Sequence, residues 1–122
     1  MLTALIAEDD VHLAELWKVA FTRAGFDVRL VYNGTEAIDY LKTYSLPNLL
    51  VVDQMMPGSY GVEVLQVLDE LDPNRRVVRM MVTANRDACP SDIEERVSVF
   101  LEKPIMFAKV VKLAKQLIGA IR

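Results

Sequence analysis

The chain has 122 residues, enough for one domain with a single core and too few for two ordinary ones. Hydrophobic residues make up 52% and charged residues 25%, a globular composition that excludes a disordered chain. The net charge of −3 argues against a dedicated nucleic-acid binder, whose signature is a basic stripe with excess positive charge.

The apolar run at 2–7 lacks a preceding basic region and runs directly into Glu8-Asp9-Asp10, so it reads as a strand and not as a signal peptide. Leu13, Leu16, Trp17, Ala20, Phe21 and Ala24 then recur at helical spacing, with Gly25 as the stop and Trp17 on the core side. A weaker strand pattern covers 28–32. Asn33 followed by Glu36 has the spacing of a capping box and opens a second helix through Leu41. The run at 49–52 is a third strand, and it ends in Asp53.

Val64, Leu65, Leu68 and Leu71 form the stripe of a third helix, closed by Pro73. A fourth strand at 77–82 leads into Thr83. Between Thr83 and Phe100 only one or two turns of helix fit. Pro90 takes either a first-turn position or the end of a short loop, with Ser91 or Asp92 as cap. A fifth strand at 97–101 precedes Lys103, and Val110, Leu113, Ala114, Leu117, Ile118 and Ile121 mark the last helix. No apolar stretch approaches the ~20 residues that span a bilayer. Cys89 is the single cysteine, which rules out an internal disulfide and fits a reducing cytoplasm.

Strand and helix alternate along the whole chain, and the strands are continuously apolar, a mark of burial on both faces. The expected fold is α/β: a doubly wound parallel sheet with helices on both sides, one domain over 1–122. Such folds place their sites beyond the carboxyl ends of the strands. Glu8, Asp9, Asp53, Thr83 and Lys103 all fall at or just past strand ends. Carboxylates gathered there are costly unless a cation sits among them, and hard oxygen ligands suit Mg²⁺. A strand-end aspartate beside that ion can attack phosphorus. The charge on the phosphoryl oxygens then needs neutralising, by Mg²⁺, by the mobile point charge of Lys103 and by the hydroxyl of Thr83.

Four pieces in register, Leu5-Ile6-Ala7-Glu8-Asp9-Asp10, Val51-Val52-Asp53 through Gly61, Met81-Val82-Thr83-Ala84 and Phe100-Leu101-Glu102-Lys103-Pro104, resemble a response-regulator receiver domain of the chemotaxis-regulator type. The resemblance covers essentially the whole chain. It implies a flavodoxin-like five-stranded sheet of order 2-1-3-4-5. It also implies Asp53 as phosphoacceptor, Asp9 as direct metal ligand, Glu8 acting through water and the Met55 carbonyl completing the protein ligands of Mg²⁺. Asp10 is left to cap the first helix; Asp9-Asp10 as the acidic pair is the alternative. By the same resemblance Thr83 is the switch hydroxyl and Phe100 the switch aromatic. Lys103 is the phosphoryl contact, aimed by a cis bond to Pro104.

The function so implied is a cytoplasmic signalling switch of a two-component system. It would accept a phosphoryl group from a sensor histidine kinase, a phosphotransfer protein or a small acyl phosphate, and change its affinity for an output partner. It would bind neither nucleic acid nor membrane directly and turn over no separate substrate. A phosphohydrolase of the haloacid-dehalogenase type needs a second Asp where this chain has Met55. A constitutive, phosphorylation-independent interaction module on the same fold is the competing reading.

Two departures stand out. Gln54 replaces the usual apolar residue after the phosphoacceptor, pointing either to the helices or to the site. The fourth-helix segment is short, and Val97-Ser98 stands where Gly-Ala is usual; this counts against a homodimer through that face. His12 reads as a surface residue and Cys89 as a loop thiol without function. Lys109, Lys112 and Lys115 share one face of the last helix, either solvated or meeting an acidic partner. An output domain or kinase module can follow or precede a chain of this kind.

Overall fold

Every side chain of Leu49–Val52 is buried, and this run is the central strand of a five-stranded sheet. The computed structural model describes residues 1–121. All pairings are parallel, in the order β2-β1-β3-β4-β5, formed by β1 (Leu2–Ala7), β2 (Phe26–Val31), β3 (Leu49–Val52), β4 (Val78–Thr83) and β5 (Val99–Glu102). The doubly wound α/β fold and strand order expected from the sequence are both found.

Strand alternation divides the core into two layers. Leu50, Val52 and Met81 face α2 (Gly34–Thr43), α3 (Gly61–Leu71) and the single turn α4 (Ile93–Arg96). Leu49, Val51, Met80 and Val82 face Trp17 and Phe21 of α1 (Val11–Arg23) and Val110, Ala114 and Ile118 of α5 (Phe107–Ile121). The side on which a residue past a strand end emerges follows from its parity in this alternation.

Local signals act as expected, with small shifts. Asp10 caps α1, its Oδ1 accepting from the Leu13 amide at 3.1 Å. Gly25 ends that helix with φ +99°, a conformation that side chains with a Cβ resist. Asn33 caps α2 through the Glu36 amide at 2.8 Å, but Glu36 reaches back to the amide of Tyr32, one residue before the expected partner.

Three strands are shifted from their predicted spans. β2 begins at Phe26, because Phe26 pairs with Leu2 and is buried, and it ends at Val31. β4 starts after Val77, whose amide is bound by the Asp72 carboxylate at 2.8 Å, and runs to Thr83. β5 starts at Val99, since Val97 packs under the end of α4, and continues to Glu102. The fourth-helix region is as short as expected: a helical turn at Arg86–Ala88, then α4. None of the described helices is long and apolar enough to cross a membrane.

Candidate functional site

The register sets the site. Ala7 lies beside Val52 and Thr83 beside Glu102, so Glu8, Asp53, Thr83 and Lys103 emerge together at the carboxyl edge of the sheet. The main chain continues the ladder there. The Glu8 amide bonds the Val31 carbonyl at 3.1 Å and the Lys103 amide bonds the Thr83 carbonyl at 2.9 Å. The Lys103–Pro104 bond is cis, as expected.

Three of the predicted residues meet directly. The Lys103 ammonium donates to Glu8 Oε1 at 2.7 Å and to Asp53 Oδ2 at 2.8 Å. Glu8 and Asp53 are only 4% and 8% exposed, so this pairing is largely shielded from water. The like charges of the two acids are thus balanced by a cation the chain itself supplies. Asp53 Oδ1 accepts from the Met55 amide at 3.2 Å, and Glu8 Oε2 accepts from the Asp10 amide at 3.3 Å.

Burial pushes the Glu8 carboxyl above its ordinary value, against the opposing pull of Lys103. Burial opposes the Lys103 charge too, but its hydrogen bonds to Asp53 and Glu8 outweigh this and raise its pKa. The ammonium therefore stays charged across the physiological range.

The other predicted residues surround this triad. Thr83 is buried, and its Oγ1 accepts from the Asn85 amide at 3.2 Å, which leaves the hydroxyl proton free to donate elsewhere. Phe100 is half-buried on the α4 side of β5, with the Arg86 guanidinium over its ring. Asp9 and Met55 are exposed at the rim, and Asp10 caps α1 through Oδ1.

Among the described residues no three His, Cys, Asp or Glu side chains cluster as metal ligands. The set named from the sequence is of a different kind: the carboxylates of Asp9 and Asp53, the Met55 carbonyl, and Glu8 behind water. That donor chemistry fits Mg²⁺, which takes one or two carboxylates and keeps several waters.

Gln54 is resolved in favour of the helices. Its parity matches Leu50 and Val52, so it points to the α3–α4 layer, where it is 3% exposed and hydrogen-bonded at both ends of its amide. Arg86, which salt-bridges Glu94 at 2.8 Å and Glu102 at 3.5 Å, was given no role by the sequence. Its signal there was only a charged residue in a loop. His12 is exposed and Trp17 buried, as expected. Lys109, Lys112 and Lys115 are all exposed.

Comparison with known proteins gives one family. A family-wide sequence model described as the response regulator receiver domain matches residues 4–115. The chain is 34% identical over 83 residues to the DNA-binding response regulator MtrA of Mycolicibacterium paratuberculosis, covering 68% of this chain and 35% of that regulator. It thus spans about a third of the length of those regulators, the matched share being 35%. It is 28% identical over 100 residues to the sporulation initiation phosphotransferase F of Bacillus subtilis, covering 82% of this chain and 80% of that protein. The solved structure of response regulator TrrA from Thermotoga maritima, in complex with Mg²⁺–BeF, superposes with a TM-score of 0.84. It covers 96% of this chain and 99% of that one at 21% identity, a likeness of fold.

Proposed function

Because this chain belongs to the response regulator receiver domain family, we propose that it is a phosphorylation-controlled switch with Asp53 as phosphoacceptor. The observation that carries the reading is the Lys103 ammonium bridging Asp53 and Glu8 at the strand ends. It orients the Asp53 carboxylate through a 2.8 Å hydrogen bond, and it places a cation where phosphoryl oxygens would gather charge.

In this reading a carboxylate oxygen of Asp53 attacks the phosphorus of a phosphohistidine on a histidine kinase or phosphotransfer protein. The O–P bond forms, the P–N bond breaks and the imidazole leaves. Mg²⁺, held by Asp9, Asp53 and the Met55 carbonyl with Glu8 behind water, would supply charge neutralisation at a phosphoryl oxygen. Lys103 moves from the Asp53 carboxylate to the new phosphoryl group. The Thr83 hydroxyl donates to another of its oxygens, and Phe100, on the same face of the sheet, turns inward. The surface formed by α4, β5 and α5 then changes its affinity for an output partner. The chain catalyses its own phosphorylation and hydrolysis and has no separate substrate.

The test is intact-mass analysis after incubation with acetyl phosphate, with and without Mg²⁺, on the wild type and Asp53→Asn. One Mg²⁺-dependent phosphoryl adduct, lost in the variant, is the expected result. No adduct in the wild type, together with no binding of beryllofluoride, would replace the switch by a constitutive interaction module.

A further inference from the structure

Gln54 is buried, and both ends of its side-chain amide are used across the fold. Its Oε1 accepts from the Val62 amide at 3.0 Å, in the first turn of α3. Its Nε2 donates to the Ala88 carbonyl at 3.0 Å, in the turn that replaces most of a fourth helix. Its own carbonyl accepts from the Gly61 amide at 2.9 Å. Gly61 is required for this approach, since a Cβ there would lie 3.0 Å from Gln54 Cα and 2.5 Å from the Asp53 carbonyl oxygen. The chain neighbour of the phosphoacceptor is thus fastened to α3 and, 34 residues on, to the 85–89 turn.

That turn is held at its other end by the site as well. Thr83 Oγ1 accepts from the Asn85 amide. Between the two anchors lies Arg86, which covers Phe100 and salt-bridges Glu94 and Glu102. If the Thr83 hydroxyl is drawn toward a group on Asp53, its bond to Asn85 is strained while the bond at Ala88 stays. The turn then pivots about Ala88 and carries Arg86 away from Phe100.

We propose that Gln54 is a positioning residue that ties the phosphoacceptor loop to the 85–96 segment and sets the point about which the segment moves. This rests on the reading of Asp53 as the phosphoacceptor. A residue acting only as packing would not need a donor aimed at the Ala88 carbonyl, and an apolar side chain of equal length would serve.

The test compares the wild type with Gln54→Met, which keeps length and apolar bulk and removes both hydrogen bonds. Intact mass with acetyl phosphate reads Asp53. Hydrogen exchange of the 85–96 segment, with and without beryllofluoride and Mg²⁺, reads the tie. In Gln54→Met the adduct still forms, and ligand-free exchange in the segment rises about fivefold, the worth of one lost hydrogen bond. The beryllofluoride-induced change there shrinks by about half or more. Gln54→Leu, which likewise has neither donor nor acceptor, reproduces the same loss. An adduct in all three proteins with wild-type exchange in the segment overturns the tie. Absence of the adduct from the wild type, together with no binding of beryllofluoride, overturns the reading of Asp53 instead.

Discussion

The guanidinium of Arg86 lies 4.9 Å from the centroid of the Phe100 ring. Glu94 and Glu102 hold it there from two sides. Phe100 has the parity of Met81 and Thr83 and shares their face of the sheet, so an inward turn of the ring must leave this cation behind. Arg86→Ala removes the cover and favours the inward state. The expected result is beryllofluoride binding tighter than wild type by a small factor, read by titration with Mg²⁺ present. Weaker binding would mean that Arg86 supports the activated state.

Lys103→Met leaves Glu8 and Asp53 facing each other without their cation. Breaking a shielded pair of this kind costs about 3 kcal/mol. The pH dependence has a definite sign. Lys103 lowers the Glu8 pKa, so its removal moves that already raised value further up. A raised carboxyl means that the folded state keeps a proton the unfolded state releases. The associated stability is complete below the ordinary carboxylate value and is lost as pH rises through the folded value. The Lys103→Met deficit is therefore largest near neutrality and shrinks on acidification. Urea denaturation in chelator between about pH 4 and 8 would show this. A deficit independent of pH would mean that Glu8 and Asp53 do not interact through Lys103.

Strand periodicity and caps made most of the fold legible. The run at 49–52 is a buried central strand, Asp10 caps α1, and Gly25 stops it. The site was legible because its residues stand at strand ends, where the chain order alone brings Glu8, Asp53 and Lys103 together. What could not be read was the partner of each group. The sequence brought Lys103 to the site as a phosphoryl contact; its ammonium also bridges Glu8 and Asp53 directly, which depends on side-chain geometry. The side taken by Gln54 depends on parity carried past the end of β3, and its bond to Ala88 depends on where a turn 34 residues away comes to rest.

Cys89 offers a reporter close to the site. Its Sγ lies 3.7 Å from Met81 Sδ, and burial raises the thiol pKa, aided by the Asp53 charge and opposed by Arg86. Asp53→Asn removes one of the two raising causes. The thiol in that variant should alkylate faster with iodoacetamide at a given mildly alkaline pH, its rate–pH profile displaced to lower pH. Arg86→Ala should displace the profile to higher pH. Rates followed by intact mass in chelator check both directions, and equal profiles in all three proteins would place the thiol beyond the reach of the Asp53 charge.

Arg79 is wholly buried in β4 at the edge of the sheet opposite the site. Its Nη1 donates to Asp72 Oδ2 at 3.1 Å and to the Val77 carbonyl at 2.7 Å. The Asp72 carboxylate also holds the amides of Arg76 and Val77, so one side chain shapes the whole turn into β4. Among the described residues Arg79 Nε has no partner, and Asp69 Oδ1, 3.4 Å from Nη2, makes no hydrogen bond. Arg79→Met therefore loses the pairing but also removes an unsatisfied buried donor. Asp72 keeps its two amide donors, which places the cost near the lower end of the range for breaking a buried pair, about 3 kcal/mol. Asp72→Asn frees the guanidinium charge in the same pocket and weakens the turn as well, so it should cost more. Denaturant midpoints rank the two variants, and both should still form the Asp53 adduct, because the network lies at the far end of the strand. A smaller loss for Asp72→Asn than for Arg79→Met would mean that the guanidinium is balanced chiefly by Asp69 and not by Asp72.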